Sequence, residues 1–106
     1  MATKTTYDFD MMLSSAKEAY GEELYKMAQE GIDFVFTFSD NVAPSTKAGQ
    51  LVKDYPDRCF NMGIAEPNQV GVSAGLALSG NVVFAQVFGP FLPLRAADQV
   101  HTDIAY

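Results

Sequence analysis

One stretch limits the possible folds more than any other: residues 56–80, PDRCFNMGIAEPNQVGVSAGLALSG. Cys59, Phe60, Asn61 and Met62 read as a short strand, and Gly63 permits a bend that a side chain would hinder. Pro67 sits where a helix best tolerates proline, at its first position, because the N–H it lacks has no intrahelical partner there. That spacing predicts Glu66 as the N-cap of a helix over residues 68–78. Gly71, Ser73, Ala74, Gly75 and Ala77 keep this helix slim enough to approach a neighbouring element closely. The carboxylate of Glu66 is thereby brought to the carboxyl end of a strand, which is where ligands bind in open α/β sheets. Glu66 is therefore a candidate site residue. The plainer reading is that an acid at a helix start only satisfies the dipole and free N–H groups, worth about 0.3–1 kcal/mol.

The rest of the chain supplies elements of the same kind. Residues 1–7 carry no periodic pattern and read as a loose tail. From about Asp8, the positions Met12, Ala16, Tyr20, Leu24, Met27 and Ala28 recur at spacings of three and four, an apolar helical stripe that ends at Gly31. Residues 34–38, FVFTF, form a strand apolar enough for burial on both faces, with Asp40 just past its carboxyl end and the loop NVAPST following. A short helix over residues 47–55, a third strand over 82–87 and a last helix over 94–105 complete the pattern. Helices alternating with strands imply an α/β fold, a three-layer sandwich with a mainly parallel sheet and right-handed crossovers. At 106 residues there is room for one domain, with residues 1–13 as tail and helix start and 14–106 as the domain.

Charge and cysteine usage exclude several classes. A formal net charge of −6 argues against a phosphate backbone as partner, so no nucleic acid is expected. Cys59 is the only cysteine, which rules out an internal disulfide and suits a reducing compartment. The N-terminus lacks the apolar run of a signal peptide. The apolar region over 70–91 is interrupted by Ser73, Ser79, Gly80, Asn81 and Gln86, so no membrane association is expected. By elimination the expected location is cytoplasmic. The sole histidine, His101, has no partner at metal-ligand spacing and reads as a surface residue, so no metal ligand is assigned to this chain.

Residues 56–80 also resemble the signature of the transketolase family, in which a proline-aspartate-arginine, a strand and glycine-isoleucine-alanine-glutamate lead into a glycine- and alanine-rich helix. The resemblance extends upstream through SAKEAYGEELYKMA and FTFSD and downstream through FGPFLPLRAADQVHTDIAY. It is specifically to the pyrimidine-binding domain of these thiamine diphosphate enzymes, in the version split into two subunits. The resemblance implies the fold of that domain in incomplete form. It also implies that Glu66 is the glutamate that hydrogen-bonds the cofactor's aminopyrimidine, the catalytic assignment. Phe88 and Phe91 match the phenylalanine pair lining the pyrimidine pocket, and Asp40 matches an aspartate near the cofactor. Lys17 stands where the family has an arginine for the sugar phosphate, and Ser45 resembles a loop serine with the same task, in a loop one residue longer. Asn41 and Pro67 depart from the family pattern, which has an apolar residue at the first position and glutamine or histidine at the second. Arg95, Asp98 and Gln99 reproduce a family helix read as structural and interfacial.

No stretch resembles the glycine-aspartate-glycine motif that holds magnesium and diphosphate in these enzymes, and the sequence ends before the family's remaining strands. The resemblance therefore implies a partner chain that binds the diphosphate and Mg2+, a homo- or hetero-oligomer, and no activity in isolation. It implies transfer of a two-carbon ketol unit between sugar phosphates. The alternative is a non-catalytic truncated module that self-associates or docks onto a full-length relative.

Overall fold

The computed structural model describes residues 9–106, with side chains described from residue 16 onward. The tail expected over residues 1–7 lies outside the described residues, as does the side chain of Met12. Three strands form a parallel sheet in the order β2-β1-β3: β1 (Val35–Phe38), β2 (Cys59–Asn61) and β3 (Val83–Gln86). β1 lies in the middle, with Phe36 opposite Cys59 on one side and Phe84 on the other.

The alternation of β1 side chains decides which helices cover which face. Phe36 and Phe38 stack on one face with ring centroids 5.4 Å apart, and Phe34 lies in the same core. They meet Leu24 and Ala28 of α1 (Phe9–Gln29) and Leu51 of α2 (Lys47–Asp54). Each of Leu24, Phe36 and Leu51 is fully buried and contributes about 1.5–3 kcal/mol. Thr37 points to the opposite face, towards α3 (Glu66–Leu78), where Gln69, Val70, Ser73 and Ala74 are buried. Helices on both faces of a parallel sheet make the three-layer α/β arrangement expected from the sequence.

Local chemistry fixes the joints. α1 stops at Gly31, whose φ of +75° places it in the left-handed region, while Ile32 N–H donates to Met27 O at 3.0 Å and Gly31 N–H to Ala28 O at 3.2 Å. α2 starts at Thr46, whose hydroxyl accepts from Gly49 N–H at 3.1 Å and donates to Ala43 O at 2.7 Å. α1 and α2 touch at Gly21, where a Cβ would stand 2.9 Å from the Ala48 backbone nitrogen. The apolar stripe of α1 therefore serves two purposes. Leu24 and Ala28 are core and Met27 packs against it, whereas Ala16 and Tyr20 remain exposed at the edge of a cavity.

Four sequence expectations need correction. The second strand stops at Asn61 and the third spans Val83–Gln86, each shorter than the apolar run that announces it. Met62 N–H still donates to Phe38 O at 2.7 Å and Val35 N–H to Val82 O at 2.8 Å, so pairing outlasts the regular strands. Glu66 is the first residue of α3, with Ala65 as its cap, so it is not the N-cap. The single helix expected over residues 94–105 is broken into α4 (Phe91–Arg95), α5 (Ala97–Gln99) and a π-helical turn (Val100–Ala105). The break is at Ala96, which is fully buried with φ −122° and ψ 16°, despite the good helix propensity of its neighbours.

Candidate functional site

Asn61 builds the turn that leads to Glu66. Its side-chain oxygen accepts from Gly63 N–H at 2.9 Å and Asp40 N–H at 3.1 Å, and its amide donates to the Asp40 carboxylate at 3.0 Å. Two loops at the carboxyl ends of β1 and β2 are thus strapped together. Gly63 has φ +71° and Asp40 φ +57°, the latter a conformation aspartate tolerates better than most side chains. The chain leaves this turn into α3 with Glu66 in the first turn and Pro67 beside it, where no N–H is needed.

The Glu66 side chain is 5% exposed and is not left unpaired. Arg95 Nη1 donates to both carboxylate oxygens, at 3.2 and 3.3 Å. The same guanidinium lies over the Phe91 ring at 3.9 Å from its centroid, and Phe91 lies 5.9 Å from Phe88 in a tilted pair. Lys17 Nζ stands 5.3 Å over the Phe88 ring. A continuous line of contacts, Lys17 to Phe88 to Phe91 to Arg95 to Glu66, therefore runs from α1 to the start of α3.

Phe88 also borders a cavity of about 410 Å³ between α1, the loop after β1 and the end of β3, lined among others by Lys17, Tyr20, Asn41, Thr46 and Gln86. Partial burial at the cavity edge raises the Tyr20 phenol above its ordinary pKa. The side-chain oxygen of Asn41 is buried with no hydrogen-bond partner among the described residues. Beneath the site, Gln69 donates to Gln86 O at 3.1 Å, tying the middle of α3 to the end of β3, while its own oxygen is buried without a partner among the described residues.

The candidates from the sequence fall into three groups. Glu66, Phe91 and Phe88 are joined through Arg95, and Lys17 reaches Phe88 from the cavity side. Asp40 is exposed and held by Asn61, outside the cavity lining. Ser45 is exposed on the loop and also outside the lining, where its neighbour Thr46 stands instead. The sequence reads Arg95 as structural and interfacial, yet it contacts both Glu66 and Phe91. Its spacing of four from Phe91 on a helix carries a signal for that stacking, whereas nothing local marks its pairing with Glu66, 29 positions away. Among the described residues, no group of three or more His, Cys, Asp or Glu converges as a metal ion would require, and no helix is long and apolar enough to cross a membrane.

A buried carboxylate beside an aromatic face can accept a hydrogen bond from a flat, nitrogen-bearing ring stacked on that face. Residues 14–106 match the family described as transketolase, pyrimidine binding domain. The chain belongs to this family. It is 36% identical over 90 residues to a putative transketolase C-terminal section of Methanocaldococcus jannaschii, covering 85% of this chain and 28% of that protein. It is 39% identical over 85 residues to one of the subunits of an apulose-4-phosphate transketolase from Actinobacillus succinogenes, covering 80% of this chain and 27% of the relative. A 1-deoxy-D-xylulose-5-phosphate synthase of Clostridium perfringens is 36% identical over 85 residues, covering 80% of this chain and 13% of the synthase. A solved split-gene transketolase, an inactive β4 tetramer, superposes with a TM-score of 0.72 at 39% identity, covering 83% of this chain and 29% of that one. The chain thus spans under a third of the length of each of these proteins. The split-transketolase pyrimidine domain named by the sequence resemblance is the family and fold to which it belongs.

Proposed function

We propose that this chain is the pyrimidine-binding component of a transketolase-like enzyme that transfers a two-carbon ketol unit between sugar phosphates with thiamine diphosphate. The observation that carries this reading is Glu66: a carboxylate 5% exposed at the start of α3, facing a planar cation that lies on the Phe91 ring. That environment fits an aminopyrimidine, which needs a carboxylate at a ring nitrogen and an aromatic surface beneath it. In this reading Glu66 holds and exchanges the ring proton, Phe88 and Phe91 supply the apolar wall, and Asp40 lies near the cofactor. Lys17 meets the sugar phosphate from the cavity, and Ser45 assists from the adjoining loop. When bound, thiamine diphosphate supplies an acidic carbon and an electron sink for cleaving a bond next to a carbonyl.

The diphosphate and Mg2+ fall to a partner chain in this reading, and the chain alone is inactive and cytoplasmic. The test is assembly with a chain carrying the diphosphate motif, followed by ketol-transfer assays of wild type and Glu66→Ala. Loss of an acid–base partner costs about 10²–10⁴-fold, and a fully active variant would overturn the assignment. One observation favours a second reading, a non-catalytic module docking on a relative: Ile64, in the turn before α3, and Leu78, its last residue, are 76% and 87% exposed. Activity in the assembled enzyme excludes it.

A further inference from the structure

We propose that Arg95 is an internal stand-in for the ligand ring: its guanidinium lies between Glu66 and Phe91, in the place that an aminopyrimidine takes, and it must leave for that ring to enter. The inference rests on the cofactor reading above and concerns what occupies that site in the meantime.

The chemistry of the two groups is matched. A guanidinium is planar and delocalised, carries N–H donors in its plane and stacks on aromatic faces. An aminopyrimidine offers a flat face and in-plane N–H as well. Arg95 uses both properties at once, at 3.9 Å over Phe91 and through Nη1 to both oxygens of Glu66. With those oxygens engaged and the Glu66 side chain 5% exposed, a ring cannot reach the same carboxylate from the Phe91 side until Arg95 is displaced.

The geometry also favours release. The contact uses one nitrogen for two oxygens, so it lacks the two parallel bonds of a fork-to-fork pair. Its distances of 3.2 and 3.3 Å are long against the roughly 2.7–2.9 Å of a strong charge-assisted bond. Arg95 is the last residue of the five-residue helix α4, immediately before the break at Ala96, and its side chain is 44% exposed. It can swing into water and keep its charge hydrated. Glu66 is fixed in the first turn of α3 and cannot follow. Departure of the cation leaves the carboxylate and the Phe91 face together and open.

The experiment is a titration of the full 106-residue chain with the hydroxymethyl aminopyrimidine half of thiamine, followed by nuclear magnetic resonance. In the free chain, the Arg95 δ-methylene protons near the Phe91 face resonate upfield of ordinary arginine. On saturation they return towards the ordinary position. A stand-in occupied most of the time lowers apparent affinity by the unoccupied fraction, so Arg95→Gln binds roughly five- to tenfold more tightly. Arg95→Lys, which keeps the charge without the flat surface, also binds more tightly and guards against misfolding of the first variant. Two results overturn the proposal: Arg95 signals unmoved at saturation, or weaker binding by both variants. If the ring binds in a Glu66-dependent way while Arg95 stays, only the stand-in fails. If neither wild type nor Arg95→Gln binds, the cofactor reading fails and the stand-in with it.

Discussion

Thr37 of the central strand and Ser73 of α3 share a hydrogen bond of 2.8 Å at a point sealed from water, and Gln69 reaches the same threonine hydroxyl at 3.4 Å. The sheet face covered by α3, the helix that carries Glu66, is therefore tied to that helix by polar groups, whereas the opposite face is held by Phe34, Phe36 and Phe38. The two faces of one strand respond differently to substitution.

Thr37→Val leaves the Ser73 hydroxyl buried without its partner and should cost about 1–3 kcal/mol. Ser73→Ala leaves Thr37 with only the longer contact from Gln69 and should cost about 1 kcal/mol. The double variant should cost less than the sum, because both ends of the bond disappear together. Urea unfolding of the three variants measures this, and strict additivity would mean the bond is not shared as described.

The Glu66–Arg95 pair is asymmetric in burial, 5% against 44% exposed, so its two halves should not be equally costly to remove. Arg95→Ala strands a buried carboxylate without its donor, for about 2 kcal/mol. Glu66→Ala frees a cation that already reaches water, for under about 1 kcal/mol. In a domain of this size the difference amounts to several degrees of melting temperature. A larger loss in Glu66→Ala would contradict the burial argument.

Gly21→Ala is expected to destabilise despite the better helix propensity of alanine. The propensity gain is about 1 kcal/mol, but the new methyl group would stand 2.9 Å from the Ala48 backbone nitrogen and force α1 and α2 apart, a repacking that costs about 1–3 kcal/mol. A chemical denaturation midpoint at or above that of wild type would show that the two helices separate easily.

Much of this architecture is legible because its signals are local. The FVFTF run, the Gly63 bend, the Gly31 stop and the Glu66–Pro67 start each depend on residues within a few positions, and β1, α1 and α3 fall where those signals put them to within a residue or two. The break at Ala96 is not legible, since Leu94, Arg95, Ala96 and Ala97 all favour helix and nothing in their local sequence marks the interruption at this buried residue. The Arg95–Glu66 pair is illegible for a related reason: two charged residues 29 positions apart carry no periodicity that joins them. Asp40 illustrates the opposite case. Its position at a strand end is legible, but its exposure and its tie to Asn61 depend on how two loops meet.

Cys59 provides a pH-dependent test. Burial pushes its thiol up to about 11 from an ordinary 9.0, with Arg58 opposing in part. The folded protein keeps the thiol proton to higher pH than the unfolded chain does. The Cys59 contribution to stability is therefore constant below about pH 9 and declines between about 9 and 11 as the unfolded thiol ionises first. Cys59→Ala should lack that decline. Alkylation at neutral pH should be markedly slower in the native protein than in urea, since about two pKa units leave on the order of 100-fold less thiolate. Equal rates in both states would show the thiol to be unshielded.

The strand order β2-β1-β3 has a consequence for synthesis. The middle strand is made first, and Val35 meets its partner Val83 only 48 positions later. At roughly 5–20 residues per second, the apolar VFTF segment leaves the ribosome roughly 2–10 s before its second neighbour exists. At the start of that interval α1, already complete and carrying Leu24 and Ala28, is the described element of the final core available to shelter it, until α2 with Leu51 and then β2 follow. α1 thus acts as a temporary cover for a nascent strand before it becomes one wall of a finished domain.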